Sequence, residues 1–274
     1  MRAVQLRRPG CRRYSGAVFQ GSARQRFRDD DGAADARAAA ALQAFAAAQG
    51  SEHAALTALA GIRLLVPVVA ALAPESPEPG GQRPAHPFPP AGAGPAAAGA
   101  AGGEKASEMA LPTLIGRDGR RAIPAFTCLE ALARWRPSAR PIPADAAAVW
   151  RAAVEDSCAV VIDVAGPVPL AVEGARLAAL ADGTPVPLPH EDPDVRDVVA
   201  AVLTESAGPD GLSLEGVGFA IRPGVQGGDL LIELAAPAGL RHAAAEDWAA
   251  GIGSAVLDRL GPRLRRGIAI ALAP

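Results

Sequence analysis

The segment 74–103 is dominated by Pro, Gly, Ala and Ser, and it separates an apolar run at 62–69 from the other strand-forming stretches of the chain's first half. Such a composition buries too little apolar surface to offset the entropy lost on ordering. The run at 62–69 predicts a buried strand, and the strands able to pair with it occur only after the segment. We therefore expect a flexible, disordered insertion inside one domain, not a linker between two domains.

The chain has 274 residues, half of them hydrophobic and one fifth charged, which excludes a wholly disordered protein. Its formal net charge of -2 provides no field that would attract nucleic acid or anionic lipid, so we expect neither partner. The first 28 residues hold eight arginines and no acid, followed by three aspartates. We interpret 1–50 as an irregular Arg-rich leader followed by an Ala-rich helix at 35–48; a binding arm for nucleic acid or lipid is the alternative.

Three cysteines, Cys11, Cys128 and Cys158, lie far apart and form no C-x-x-C pair. This is typical of reduced thiols in a cytosolic protein. The first ten residues lack the apolar core of a secretory signal, and the longest apolar run, 62–73, contains Pro67 and is too short to cross a bilayer. The sequence thus predicts a cytoplasmic protein with no membrane span.

Short strand and helix patterns alternate from 51 to 183. The Asp-Gly pair at 118–119 predicts a type I′ hairpin between strands at 109–115 and 121–126. Thr127 and Glu130 match a capping box that would begin the next helix. Further patterns predict a helix from Asp145, a strand at 158–164 and a helix at 173–181.

A Pro-rich segment at 184–189 precedes a second module at 190–274. Its order is helix, strand, strand, helix, strand, beginning with Asp192 as a cap and Pro193 in the first turn. The change of alternation phase near Gly216 predicts a β-bulge. The chain is therefore predicted to be α+β, with two small mixed modules at 51–183 and 190–274.

The sequence predicts no catalytic constellation, no cofactor site and no metal site. Gly102 and Gly103 have the wrong spacing for a phosphate loop, and the four histidines form no metal-binding pair. The run 190–192 suggests an acid-base or metal cluster, although acids just before a helix are explained by capping. Cys128 or Cys158 could serve as a nucleophile beside a histidine, but both positions also suit a small buried side chain.

Arginines gather around the predicted hairpin and its following helix. They could hold an anion, or they could lie as solvated stems over neighbouring residues. Because Arg and Trp are enriched at binding hot spots, we expect a protein or anionic ligand to contact the corner formed by Arg120, Arg121, Arg134 and Trp135. The alternative for Trp135 is a place in the core.

Several of these stretches together resemble the SseB family in its actinobacterial form. The resemblance covers about residues 12–183 and fades after Thr184. It rests on the combined spacing of the segments 14–16, 30–35, 62–69, 103–105, 107–110, 116–127, 129–132, 139–141, 161–163 and 172–174, with Trp135.

The resemblance implies an SseB N-terminal domain of undetermined biochemical activity, without established catalytic residues. The family name refers to enhanced serine sensitivity, and the same label is carried by a type III secretion component. A secretion role fits poorly, since the chain has no long hydrophobic or coiled-coil helix. We expect a non-catalytic binding or accessory protein with a protein partner or a second copy; the alternative is an enzyme with a Cys- or Arg-based site.

Overall fold

The computed structural model describes residues 26–72, 107–206, 217–235 and 242–273. The helices in these ranges are α1 (Ala36–Ala46), α2 (Glu52–Leu59), α3 (Leu129–Trp135), α4 (Ala146–Glu155), α5 (Gly174–Asp182), α6 (Pro193–Glu205) and α7 (His242–Leu260). The strands are β1 (Arg63–Leu72), β2 (Ser107–Ala110), β3 (Leu114–Ile115), β4 (Arg121–Ala125), β5 (Arg140–Asp145), β6 (Ala159–Ile162), β7 (Leu170–Val172), β8 (Phe219–Pro223), β9 (Leu230–Ala235) and β10 (Ile268–Ala273).

Two sheets form the first half of the fold. One has the order β2-β1-β5, and the other has the order β3-β4-β6-β7, in which β4 and β6 run parallel. A pair of backbone hydrogen bonds between Leu65 and Phe126, 2.8 and 2.9 Å long, joins the two sheets. The helices α3 and α4 and strand β5 form the connection from β4 to β6.

Four of the five helices described in the first half share one buried cluster. It includes Phe45 of α1, Leu56 of α2, Trp150 of α4 and Leu177 of α5. A smaller cluster around Phe126 and Leu132 packs with α3. Helix α3 thus packs in a different cluster from the other four helices.

The last three strands form a separate sheet in the order β10-β9-β8, with β9 and β10 parallel and α7 connecting them. Helices α6 and α7 bury Val199 and Val256 against Ile232, and this cluster shares no residue with those of the first half. The opposite face of the sheet carries an exposed pair between Arg222 and Glu233. Only one face of this sheet is therefore packed.

The α+β class predicted from the sequence is confirmed. The predicted strand at 109–115 is two strands, β2 and β3, with Pro112 between them, and strands β5 and β7 were not predicted. The predicted insertion at 74–103, the bulge near Gly216 and residues 1–25 of the leader lie outside the described residues. None of the described helices is both long and apolar enough to cross a membrane.

The hairpin between β3 and β4 forms, but not with the expected turn. Only Gly119 of the turn has a positive φ, at 81°, whereas a type I′ turn needs two such residues. Gly119 donates its N–H to Gly116, and Gly116 donates to Arg120. This pattern is that of a three-residue loop, which places a single glycine in the left-handed conformation.

Candidate functional site

A pocket of about 270 Å³ lies where the parallel strands β4 and β6 end and where α3 begins. Helix α1 forms its opposite wall, so we call it the α1–α3 pocket. Its lining residues are Ala34, Ala39, Leu42, Gln43, Ala46, Thr127, Cys128, Ala131, Arg134, Ile162, Asp163, Gly166, Pro167 and Val168. Carboxyl ends of adjacent parallel strands lie at one edge of a sheet, which is a common position for ligand sites.

Asp163 is the carboxylate of this pocket, and Thr127 satisfies it. Thr127 donates its backbone N–H to Oδ1 over 2.9 Å and its hydroxyl to Oδ2 over 2.7 Å. Asp163 has a φ of 48°, a left-handed conformation that Asp tolerates better than most residues, and its own N–H donates to Ala125. Burial raises the pKa of the Asp163 carboxyl, and the two bonds from Thr127 oppose that shift.

Arg63 extends this network to the segment before α1. Its guanidinium donates to the Thr127 carbonyl over 2.9 Å and to the Ala33 carbonyl over 2.5 Å, and it pairs with Asp30, with Nε 2.5 Å from Oδ2. Gly32, with a φ of 75°, accepts the N–H of Leu129 at the start of α3. The segment 30–33 is thereby held against the entrance to α3.

Cys128, not Thr127, is the N-cap of α3, so the predicted capping box is wrong. The Cys128 thiol accepts the N–H of Ala131 over 3.4 Å. Thr127 lies one residue before the cap and donates its hydroxyl to Asp163, while Glu130 pairs with Arg134. The helix thus begins one residue later than the capping box requires.

Arg134 is the cation at the rim of the pocket. Its side chain is exposed, and it donates to Glu130 one helical turn earlier over 2.5 Å. That bond raises the pKa of Arg134, with smaller contributions from Cys128 and Asp163. The rest of the lining is mainly alanine, glycine and aliphatic side chains. The pocket is therefore mainly apolar, with Gln43, Thr127 and Asp163 as polar lining residues and a cation at its edge.

Two of the four residues predicted to contact a partner lie at the start of β4, away from the pocket. Arg120 pairs with Asp118 and with Glu173, and Arg121 donates over 2.6 Å to the carbonyl of Asp156. Both arginines are exposed. Their contacts link the hairpin to the ends of α4 and β7.

Arg134 and Trp135 lie at the end of α3. Trp135 is half-buried and packs on Phe126 with ring centroids 5.4 Å apart, while the Arg136 guanidinium lies 5.4 Å from its ring centre. Among the described residues, Arg134 pairs with Glu130, and Trp135 contacts Phe126 and Arg136 rather than Arg120 or Arg121. The proposed four-residue contact surface stays a prediction, and of its members only Arg134 lines the pocket.

The other candidate reactive groups are held in structural contacts. Cys158 is buried and donates to the Asp156 carbonyl, and burial raises the pKa of its thiol. Asp192 caps α6, as expected for the 190–192 run, while His190 lies 3.8 Å from Glu191. Within the described residues, no group of three or more His, Cys, Asp or Glu side chains is arranged to hold a metal ion.

Sequence reasoning did not assign Asp163 or the α1 residues of the pocket. The available signal was a polar residue at the end of each of two strand patterns, Thr127 directly after 121–126 and Asp163 near the end of 158–164. That signal depends on the two strands being parallel neighbours, which a single sequence does not reveal. The α1 residues give no such signal, because alanines on every face of a helix do not indicate which face packs against the rest of the protein.

Comparison with known proteins identifies one family. The model of the SseB protein N-terminal domain matches residues 39–179, just over half of the chain. The matched range contains α2 to α4, most of α1 and α5, and β1 to β7. No curated protein and no solved structure gives a significant match.

Proposed function

We propose that this chain, which belongs to the SseB family, is a non-catalytic binding or accessory protein of the cytoplasm and receives a protein partner at the α1–α3 pocket. The observation that carries this proposal is the state of the pocket's polar groups. Asp163 is bonded to Thr127, and Cys128 caps α3. The rest of the lining offers a partner protein a mainly apolar cavity with Arg134 at its rim.

Such a cavity suits the side chain of a partner protein. Binding hot spots are commonly large apolar side chains that fill a pocket, surrounded by polar contacts at the rim. A volume of about 270 Å³ is enough for one such anchor side chain. Arg134 at the rim favours an acidic group next to the anchor, because it would attract that group during encounter.

The predicted contacts of Arg120, Arg121 and Trp135 would extend the proposed interface beyond the pocket. A protein partner typically covers about 800 Å² on each side of an interface. A footprint of that size is about 30 Å across, and six extended residues, about 20 Å, separate Arg121 from Thr127 at the pocket. Under this proposal a contact that includes all four predicted residues is centred between the pocket and the start of β4.

The alternative is an enzyme with a Cys- or Arg-based site. It has one specific observation in its favour, since Cys128, Asp163 and Arg134 share the pocket. A nucleophilic cysteine needs a base to activate it, and no histidine is among the described residues of the lining. Each oxygen of Asp163 also already accepts one hydrogen bond from Thr127.

Filling the pocket tests the proposal. Ala39 lines the cavity, whereas Ala40, its neighbour on α1, is exposed and faces away. We expect Ala39→Phe to weaken partner binding by at least about tenfold, a change of about 1.4 kcal/mol, and Ala40→Phe to leave it unchanged. Partners captured from lysate by the wild type are identified by mass spectrometry and their affinities measured by calorimetry. Equal affinities in both folded variants would reject the pocket as the binding site.

The two arginine sites are tested separately and together. Arg121→Ala and Arg134→Ala should each reduce partner affinity, and the double variant should reduce it further, with a melting temperature close to that of the wild type. Unchanged affinity with normal stability would remove this corner from the contact. A large loss of stability would show that these arginines are structural.

A further inference from the structure

The C-terminal half of the chain contacts the first half through the start of α6, where Asp194 accepts the N–H of Ala175, and through the turn 261–267, which follows α7. Arg263 in this turn pairs with Glu52, the first residue of α2, and with Asp192, the cap of α6. Arg265 donates to the carbonyl of Ala46, the last residue of α1, over 3.0 Å. The two arginines thus hold both sides of the connection between α1 and α2.

Arg263 belongs to a buried group of four charges. Arg176 of α5 lies 2.5 Å from Glu52, and Arg263 lies 3.1 Å from the other oxygen of the same carboxylate. The side chains of Glu52, Arg176 and Asp192 are 6%, 4% and 1% exposed. Two arginines balance two carboxylates, so the group carries no net charge. Removing one member would leave an unpaired buried charge.

Arg265 acts on the helix that walls the pocket. Its guanidinium lies 5.6 Å from the ring centre of Phe45, the main buried side chain of α1, and it bonds one of the free carbonyls at the helix end. A cation at this end is also favoured by the helix dipole. Ala46, which accepts the bond, lines the α1–α3 pocket together with Ala39, Leu42 and Gln43.

Helix α1 is held at both ends. Ala38 and Phe45 are its fully buried residues, and its other side chains are half-buried or exposed. A short helix with so little buried apolar surface depends partly on its end contacts for a fixed position. The segment 30–33 holds the N-terminal end of α1, and the contact of Arg265 helps to fix the C-terminal end of this pocket wall.

We propose that Arg263 and Arg265 are positioning residues through which the C-terminal half sets the width of the α1–α3 pocket. The turn 261–267 holds the α1–α2 connection, and α1 in turn holds the wall opposite α3. Any movement of the C-terminal half relative to the first half would then open or narrow the pocket. The inference rests on the proposed function only in regarding this pocket as the binding site.

Alkylation of Cys128 reports the state of the pocket without any partner. Cys128 is a half-buried lining residue, while Cys158 is buried outside the pocket and serves as an internal reference. The probe is iodoacetamide, and the labelled peptides are quantified by mass spectrometry over time. The variant Arg265→Met keeps an apolar stem over Phe45 but removes the bond to Ala46. The control Arg259→Met breaks an exposed pair with Glu205 that lies wholly within the C-terminal half.

We expect Arg265→Met to raise the alkylation rate of Cys128 by about fivefold or more, with that of Cys158 unchanged and no effect from Arg259→Met. The double variant with Arg263→Met and Arg265→Met should raise the alkylation rate of Cys128 further. An unchanged Cys128 rate in folded Arg265→Met would overturn the inference, and so would a parallel rise for Cys158, which indicates general loosening. If Arg265→Met fails to fold, Arg265→Leu, which also lacks a hydrogen-bond donor, is the deciding variant, with the same two outcomes.

Failure of this inference can be told apart from failure of the proposed function. The labelling experiment contains no partner, so its result does not depend on what binds. Loss of partner binding in Ala39→Phe with unchanged labelling in Arg265→Met would support the pocket and reject the positioning role. The reverse pattern would support the positioning role and reject the pocket as the binding site.

Discussion

Asp163 lies at the point where strand β6 ends, with its backbone in the left-handed region at a φ of 48°. This conformation turns the chain sharply, and the carboxylate meets Thr127 at the end of the adjacent strand. The cost of the backbone conformation, of order 1 kcal/mol, is offset by two hydrogen bonds to a charged acceptor. The same residue lines the α1–α3 pocket.

The raised pKa of Asp163 has a consequence for stability against pH. A carboxyl whose pKa is higher in the folded state contributes stability that is fully present below the unfolded pKa of about 3.9 and is lost as pH rises through the folded pKa. We therefore expect Asp163→Asn, which cannot ionise, to gain stability relative to the wild type as pH rises from about 4 to 7. Urea unfolding at a series of pH values measures this difference.

Two features of the urea-unfolding experiment separate the effect of Asp163 ionisation from the effect of the lost hydrogen bond. The lost acceptor for the Thr127 hydroxyl would lower the stability of Asp163→Asn by a similar amount at every pH. The exposed Asp182, changed to Asn, is the matched control. A difference between Asp163→Asn and the wild type that does not vary with pH would contradict the prediction.

At the scale of elements, α3 begins with an unusual cap. A thiol is a weak hydrogen-bond acceptor, whereas serine is among the best N-cap residues. We expect Cys128→Ser to stabilise the protein by about 0.5 kcal/mol and Cys128→Ala to destabilise it by about 1 kcal/mol. Denaturant midpoints of the two variants provide the measurement. The prediction is wrong if Ser and Ala have the same effect.

Cys158→Ser is the contrasting variant for that series. Cys158 is buried at the entrance to β6 and caps no helix. A hydroxyl there can still donate to the Asp156 carbonyl, but it loses solvation and gains no cap, so we expect a loss of about 1 kcal/mol. Opposite signs for the same chemical change at the two cysteines would show that the cap, not the side-chain chemistry, decides the effect.

The two strands that the sequence patterns did not predict, β5 and β7, both lie at the edge of their sheets. Strand β5 contains Pro141 and Pro143, and strand β7 has only three residues. Prolines remove backbone donors and weaken the strand pattern, but they are tolerated where a strand lies at the edge of its sheet, as β5 does. Edge position is a tertiary property, and local patterns therefore did not reveal these strands.

At the scale of the whole molecule, buried side chains form separate clusters in the first and second halves. The contacts that join the halves are mainly charged, through Arg263 and Arg265. Interfaces of this polar kind resemble those between domains of one chain. They are consistent with the two modules at 51–183 and 190–274, which we retain as a proposal.

Limited proteolysis tests that division. We expect the earliest cuts within 74–103, where the sequence predicts a flexible insertion, and next within the link 184–189. The strands at 62–69 and 158–164 should be cut only after unfolding, because cleavage needs the backbone to leave its sheet. Early cuts within those strands, with 74–103 spared, would show that the domain assignment is wrong.

The sequence by itself determined the α+β class, most helices and the longer strands. Periodicity is a local property, and the stripe of α6 or the alternation of β9 is visible within a dozen residues. The glycine of the hairpin loop was likewise readable from the Asp-Gly pair, although the turn type was not. The Arg-rich corner could be proposed from composition, but not its partners.

Only the tertiary structure decided the site. Thr127 and Asp163 are 36 residues apart, and Arg263 and Glu52 are 211 residues apart. Whether a polar side chain caps its own helix, as the sequence suggested for Thr127, or bonds a distant carboxylate depends on which strands are neighbours. Burial then favours the bond between Thr127 and Asp163, because a desolvated carboxylate is stable only where the fold supplies hydrogen-bond donors to it.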